Sequence, residues 1–176
     1  MQGGISRRGL AAAALAAGVG GSVAAAEPSG TPGLVHDADA IHQTVKFTAS
    51  PERVYDALTQ ADQFDKVFRL GKAAATMKLG SKPTEISADV GGAFTLFGGY
   101  IVGCHLYLVR PTRIVQVWRE VSWDDGQFSL ASFRLAAERG GTTLSFDHTG
   151  FPQGAGPHLS IGWYGDYWDP LRKYLA

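Results

Sequence analysis

The sequence is poor in cysteine, since Cys104 is the only one among 176 residues. No disulfide can form within the chain, so the core has to hold the fold without one. No C-x-x-C or H-x-x-x-H pair occurs either, and these are the spacings that typically build zinc sites. We therefore expect no metal ion and no other cofactor.

An excess of charge of one sign is also missing, because 16 basic residues balance 16 acidic ones. No basic run is longer than two residues, which argues against nucleic-acid binding. Beyond the N-terminal segment, no apolar stretch is long enough to span a bilayer. The rest of the composition, 45% hydrophobic and 18% charged, predicts one globular domain behind a short leader.

The first 26 residues have the pattern of an export signal. Arg7 and Arg8 precede a weakly apolar run rich in Ala and Gly, and residues 24–26 resemble an A-x-A cleavage site. The adjacent arginines favour the twin-arginine route over the general secretory route. We predict a periplasmic or secreted protein that has no stable membrane insertion once the signal is cleaved.

The chain after the leader divides into a tether and a domain. Residues 27–39 are rich in Gly, Pro and Ser and are predicted to form a flexible tether. Residues 40–176 hold the periodic patterns of strands and helices and are predicted to fold as one unit.

The domain is predicted to begin with a strand and two helices. Apolar residues alternate with polar ones from Ile41 to Phe47, which is typical of a half-buried strand. Ser50 followed by Pro51 predicts the start of a helix, with Ser at the N-cap. A second short helix is predicted over residues 61–68, and a strand near residues 74–77.

The middle of the chain is predicted to form strands separated by short glycine-containing turns. They are predicted over residues 94–97, 100–109, 114–119, 127–135 and 142–149. Because each connection is short, we expect an antiparallel meander and, with the helices, an α+β fold.

The last twenty residues predict a long helix rich in aromatic side chains. Residues at spacings of three and four define its apolar face: Ile161, Tyr164, Trp168, Leu171 and Leu175. Trp163, Tyr167 and Tyr174 flank that face. Gly162 and Gly165 predict the close approach of another backbone, and Pro170 predicts a kink. Such a helix needs a large apolar surface, and we expect it to pack on the sheet.

Several motifs together resemble one known family. They are S-P-x-x-V-Y-x-A-L at 50–58, G-G-x-F-x-L-F-G-G-x-x-x-G at 91–103, I-V-x-x-W-R at 114–119, W-x-x-G-x-F at 123–128, T-x-L-x-F-x-x-x-G-x-P ending at 152, and H-x-x-x-G-W-x-x-x-Y-W-x-P-L at 158–171. The domain is similar to the activator of heat-shock-protein-90 ATPase homologue family and to the C-terminal domain of the eukaryotic co-chaperone. The resemblance covers residues 41–175.

The resemblance implies the helix-grip fold of the START-like, Bet v 1-like superfamily, also called SRPBCC domains. In that fold a curved antiparallel sheet wraps around a long C-terminal helix and leaves an apolar cavity between them. It implies no reaction, because members include ligand binders, cyclase-like enzymes and proteins without an activity.

On this fold, alternation along the strands places a set of side chains on the cavity walls. The candidate ligand-binding residues are Phe94, His105, Tyr107, Trp118, Ala131, Phe133, Phe146, His148, Trp163 and Tyr167. The two histidines could hold the polar end of a ligand or act as bases. The alternative is that they are buried neutral histidines with hydrogen-bond partners, and that the aromatic residues are ordinary core. No catalytic residue is predicted.

Three functions are therefore open. The first is an exported non-enzymatic protein that binds a small hydrophobic or amphipathic molecule; the second is a protein-interaction module resembling the co-chaperone, with an unidentified partner; the third is a cyclase- or hydrolase-like enzyme. A cavity of roughly 300 Å³ or more would favour ligand binding, whereas dense packing would favour interaction with a protein.

Overall fold

The structure, a computed structural model, describes residues 40–76 and 82–176. The predicted leader and tether lie outside these residues. Among the residues described, no helix has both the length and the hydrophobicity needed to cross a membrane.

Seven strands form one antiparallel sheet in the order β1-β7-β6-β5-β4-β3-β2. They are β1 (Ala40–Phe47), β2 (Glu85–Ile86), β3 (Ala93–Leu96), β4 (Ile101–Val109), β5 (Arg113–Glu120), β6 (Ser129–Glu138) and β7 (Gly141–Thr149). The predicted meander is confirmed from β3 to β7. The first strand returns to the far edge, where Ile41 lies opposite His148 of β7.

One face of the sheet is buried and the other faces water, which follows from the alternation in the sequence. In β1 the inward residues are Ile41, Gln43, Val45 and Phe47, and all four are at most 6% exposed. In β5 the inward set is Ile114, Gln116, Trp118 and Glu120. The predicted half-buried character of the first strand is confirmed.

Three short helices follow β1. They are α1 (Pro51–Thr59), α2 (Ala61–Arg69) and α3 (Lys72–Thr76). Ser50 is the N-cap of α1 and Pro51 opens the helix, as predicted. The strand predicted near residues 74–77 is wrong as far as Thr76, because residues 72–76 are helical. Three consecutive alanines there are strong helix formers, and the strand prediction ignored this propensity.

The C-terminal helix is continuous from Gly156 to Leu175 but changes its geometry twice. It consists of α4 (Gly156–Gly162), a π-helical segment (Trp163–Trp168) and α5 (Asp169–Leu175). The Asp169 N–H donates to the Tyr164 carbonyl, a bond between residues five apart. Pro170, which has no N–H to donate, follows directly after this wide segment. The kink predicted from Pro170 stays a prediction, and the structure shows a π-helical segment directly before this residue.

The π-helical segment also changes which residues face the sheet. Ile161 is 74% exposed and Tyr164 is 42% exposed, so the prediction that both lie on the buried face is wrong. Trp163 and Tyr167 are buried instead, together with Trp168. The predicted face assumed the α-helical repeat throughout, whereas the wider turns change the rotation of the residues before and within the segment relative to those after it.

The two glycines of this helix do not accommodate another backbone. A Cβ atom added to Gly162 or to Gly165 would meet no atom within 4 Å. The predicted close approach is therefore wrong. Both glycines instead leave open space beside the helix.

Candidate functional site

The space between the sheet and the C-terminal helix is filled, over most of its length, by interlocked aromatic rings. The Trp163 ring centroid lies 4.2 Å from that of Phe146 and 4.1 Å from that of Tyr167. Phe133 packs 5.0 Å from Phe146 on the neighbouring strand, and Trp168 stacks on Trp163 at 5.5 Å. Each of these five residues is at most 6% exposed. Aromatic pairs at such distances stabilise a core beyond the area that they bury.

His148 lies inside this aromatic cluster and its ring nitrogens are both hydrogen-bonded. The Trp163 indole N–H donates to His148 Nδ1 at 3.0 Å. The Nε2 atom lies 2.7 Å from Ser129 Oγ, and the Ser129 hydroxyl donates to the Trp118 carbonyl at 2.8 Å. An acceptor at Nδ1 places the proton of the neutral ring on Nε2. Burial lowers the pKa of His148 to about 3. This histidine is a neutral core residue with two partners.

His105 is buried on β4 with less complete hydrogen bonding. Its Nδ1 lies 3.5 Å from Gln116 Nε2, and Nε2 has no partner among the described residues. The ring packs against Phe94, with centroids 5.5 Å apart. Burial lowers the pKa of His105, so its neutral form is favoured.

A cavity remains in part of this space, between the first half of the C-terminal helix and the region of the sheet where the start of β4 pairs with the end of β5. Its volume is about 70 Å³. The walls are Ala73, Phe97, Tyr100, Ile101, Trp118, Glu120, His158, Leu159, Gly162, Trp163, Asp166 and Tyr167. Phe97 has φ of 53°, a left-handed conformation that is unusual for a bulky residue and costs on the order of 1 kcal/mol.

Glu120 supplies the main polar group of this cavity. Its side chain is 9% exposed, and its carboxylate accepts from three side chains. Tyr100 donates its hydroxyl to Oε2 at 2.8 Å, and Ser122 donates to the same atom at 3.3 Å. His158 Nε2 lies 3.2 Å from Oε1, with a side chain that is 70% exposed at the rim. A carboxylate has about four acceptor positions, so one remains for a ligand.

Asp166 supplies a second carboxylate to the same cavity. Its Oδ1 accepts from the Ala73 N–H at 3.1 Å, which ties α3 to the C-terminal helix. Tyr167 lines the cavity together with both carboxylates, and its hydroxyl accepts from the Trp118 indole N–H at 3.4 Å. Burial raises the pKa of Tyr167, and the charges of Asp166 and Glu120 raise it further. The cavity thus combines aromatic walls with a negative field.

The structure separates the ten predicted site residues into three groups. Trp118, Trp163 and Tyr167 line the cavity. Six others are buried in the filled part of the core and lie outside its walls: Phe94, His105, Ala131, Phe133, Phe146 and His148.

Tyr107 forms the third group by itself, and its predicted position in the cavity is wrong. The side chain is 51% exposed on the outer face of the sheet. A β-bulge lies between His105 and Tyr107, so that Tyr107 pairs with outward-facing Val115. One extra residue in β4 reverses the alternation after His105.

Sequence reasoning missed the polar residues of the cavity. Glu120 follows Trp118 by two positions in β5, so alternation alone places it on the inner face. Asp166 and His158 carry no comparable signal, because their positions depend on where the C-terminal helix changes geometry. No group of three or more His, Cys, Asp or Glu residues that could hold a metal ion occurs among the described residues.

The outer face of the sheet carries an apolar strip across β4, β5 and β6. Cys104, Val117 and Leu130 are cross-strand neighbours in one row, and Tyr107 and Val115 lie in the next. Leu130 is 46% exposed. We call these five residues the outer strip.

Arginines flank the outer strip. Arg113 lies directly opposite Arg134 in the pairing of β5 with β6. Arg134 binds Asp147 at 2.8 Å, whereas Arg113 Nε is buried without a hydrogen-bond partner among the described residues. Arg119 donates to the Trp123 carbonyl and lies over the Phe128 ring, 5.4 Å from its centroid.

A curved antiparallel sheet packed on a long C-terminal helix defines the α+β helix-grip class, as predicted. The model of the family described as "Activator of Hsp90 ATPase homolog 1-like protein" matches residues 48–176. The chain belongs to this family, and the resemblance read from the sequence motifs is confirmed.

Two curated relatives are longer than this chain. A mouse protein, "Activator of 90 kDa heat shock protein ATPase homolog 2", is 23% identical over 77% of this chain and 38% of its own length. An uncharacterized protein of Schizosaccharomyces pombe is 36% identical over 41% of this chain and 21% of its own length. The chain thus spans well under half of either relative.

Solved structures share the fold at lower identity. An HSP90 activator from Plasmodium falciparum is 22% identical with a TM-score of 0.66, covering 77% of this chain and 95% of that one. CalU16 from Micromonospora echinospora is 20% identical with a TM-score of 0.62, covering 79% and 77%. The Aha1 dimer from Colwellia psychrerythraea is 19% identical with a TM-score of 0.61, covering 78% and 96%. At these sequence identities, the structural similarity shows a shared fold.

Proposed function

We propose that this chain is an exported protein-interaction module that binds an acidic partner surface with the outer face of its sheet. One observation carries the proposal: aromatic side chains fill the space in which a helix-grip protein would hold a large ligand. The remaining cavity measures about 70 Å³. Pockets for drug-sized ligands measure about 300–1,000 Å³, so a hydrophobic molecule of that size has no room here.

The outer strip offers the apolar part of the proposed interface. Tyr107 is 51% exposed and Leu130 is 46% exposed, although both stand on central strands of the sheet. Tyrosine is typical of interface centres, because it buries a large rigid surface and keeps a polar end. Contiguous exposed apolar residues with a polar border are characteristic of protein–protein contact sites.

The charges around the strip favour an acidic partner. Where β4, β5 and β6 pair with one another, the charged residues at outward positions are Arg113, Arg119 and Arg134. Like charges directly opposite each other, as at Arg113 and Arg134, destabilise a sheet. Asp147 pairs with Arg134 and with His42 but not with Arg113, so a partner carboxylate near Arg113 would complete the arrangement. The partner is therefore an acidic surface with apolar side chains.

Because the leader predicts export, we do not carry over to this chain the activity that the relatives' names describe. Those names describe activators of a heat-shock-protein ATPase, and the mouse relative is matched over only 38% of its length. The paired Arg7 and Arg8 favour the twin-arginine route, which carries folded proteins. We propose that the partner lies in the compartment to which the leader directs the domain.

Site-specific photocrosslinking of the full chain in its own host tests this proposal. A benzoylphenylalanine placed at Tyr107 is expected to trap a partner in the exported fraction, whereas one at Tyr164 is not. Tyr164 is the matched control, since it is 42% exposed but lies on the C-terminal helix. The Arg113→Ala variant should weaken the crosslink, and Arg53→Ala on α1 should leave it unchanged. Added salt should weaken it as well.

Several outcomes would contradict the proposal. Equal crosslinking from both tyrosines would remove the outer strip from the interface. A crosslink to a second copy of the chain would assign the strip to self-association. Recovery of the product in the cytoplasm with the leader uncut, or stimulation of a heat-shock-protein-90 ATPase by residues 27–176, would overturn the exported partner.

Binding of a small molecule is a second candidate function. The observation in its favour is the cavity beside Glu120, which is too small for a large amphipathic molecule but is lined by aromatic rings and two carboxylates.

A further inference from the structure

The cavity beside Glu120 has walls of an unusual chemical combination. Five aromatic residues contribute to it: Phe97, Tyr100, Trp118, Trp163 and Tyr167. Aromatic faces attract cations, and groups of them recognise methylated ammonium ions in proteins. Two carboxylates, Glu120 and Asp166, lie among the rings, and no Lys or Arg side chain is part of the wall.

Glu120 is the residue that determines which sign of charge a ligand of this cavity should carry. Its side chain is 9% exposed, and its three donors are a tyrosine, a serine and a histidine. A ligand that closed the cavity would remove the remaining water from this carboxylate. A neutral apolar ligand would leave the charge uncompensated, which is costly, and an anion would add repulsion. A cation avoids both costs.

The size of the cavity limits the cation to a few heavy atoms. A cavity holds about one water-sized group per 10–15 Å³ of its volume. About 70 Å³ therefore accommodates roughly five to seven such groups. A tetramethylammonium ion, or the trimethylammonium end of a longer molecule, meets this limit. A bare metal ion is not favoured, because the described residues contain no cluster of three metal ligands.

We propose that this cavity binds a small organic cation, with the methylated ammonium head among the aromatic rings and its charge next to the Glu120 carboxylate. This proposal is independent of the outer strip, which lies on the opposite face of the sheet.

Isothermal titration calorimetry of residues 27–176 tests it with three probes: tetramethylammonium, choline and 3,3-dimethylbutan-1-ol. The last has the shape of choline without its charge. We expect saturable binding of both cations with one site per chain, and binding of the neutral alcohol at least about tenfold weaker. Sodium chloride replaces the probe salt at equal ionic strength as the control for screening.

Two pairs of variants locate the site. Glu120→Gln keeps the size of the side chain and removes its charge, so it should weaken cation binding about tenfold or more. Glu138→Gln, at the far end of β6, should leave binding unchanged. Gly162→Leu fills the cavity from a position where an added Cβ meets no atom within 4 Å, and it should abolish binding. Gly165→Leu, where there is equal room outside the cavity wall, should not.

The outcomes that overturn the proposal are distinct. Equal affinity for choline and its neutral analogue would show an apolar cavity without charge selection. No saturable binding of either cation would show that the cavity holds only water. If Glu120→Gln fails to fold, the two glycine variants decide, and equal binding by them would place the cation elsewhere.

Discussion

Two neighbouring parts of the space between the sheet and the C-terminal helix are built differently. In the filled part, His148 has a partner for each ring nitrogen and aromatic rings surround it. In the open part, Glu120 accepts from three donors beside a volume of about 70 Å³. A polar group with every hydrogen bond satisfied stabilises a core, whereas one beside open space can bind a ligand. The comparison indicates a structural role for the first part, and it is the basis on which we propose a binding role for the second.

The largest expected effect is the difference in stability between a substitution in the filled part of the core and one on an exposed ring. Phe146 is fully buried among Phe133, Trp163 and Trp168. The Phe146→Ala variant should lower the free energy of unfolding by about 3–5 kcal/mol, because it leaves a void among rings that cannot close it. Phe128→Ala, on a residue that is 48% exposed, should cost less than about 1 kcal/mol. Urea unfolding measures both, and similar costs would show that the core is loosely packed.

The next effect tests whether His148 is structural. Its pKa is about 3 in the folded protein and near 6.5 in the unfolded chain. The unfolded state therefore binds more protons between these values, so stability is full above pH 6.5 and is lost as the pH falls toward 3. The free energy of unfolding should fall by about 2 kcal/mol between pH 7 and pH 5 through this group.

The His148→Gln variant should flatten that pH dependence, because it removes the titrating ring. His42→Gln is the control on an exposed histidine, with a side chain 65% exposed, and it should keep the dependence of the original protein. His105 is also buried with a lowered pKa, so it should contribute some pH dependence of stability in both variants. An unchanged slope in His148→Gln would show that this ring is protonated in the fold or open to water.

Much of this architecture could be predicted from alternation and turn residues. The period of two in β1 and β5 gave the inner face directly, and Ser50 with Pro51 marked the start of α1. Short connections predicted the meander, because they permit only antiparallel neighbours. Glu120 could also have been found, since it continues the inward set of β5.

The remaining features depend on deviations from regular geometry. The bulge before Tyr107 inserts one residue into β4, and no local pattern distinguishes it from a regular strand. The π-helical segment turns Ile161 and Tyr164 away from the sheet, although their spacing fits an α-helix. These deviations explain why Tyr107, Ile161 and Tyr164 are exposed instead of facing the core.

The tryptophan side chains provide the most direct test of the difference between the open and the filled part. Trp118 and Trp163 line the cavity, whereas Trp168 lies in the filled part, where its indole N–H donates to Gln43. In a nitrogen–proton NMR titration of residues 27–176 with tetramethylammonium, the indole signals of Trp118 and Trp163 should shift in a saturable way. The Trp168 signal should stay in place. Shifts of equal size at all three, or at none, would contradict a cation site confined to the cavity beside Glu120.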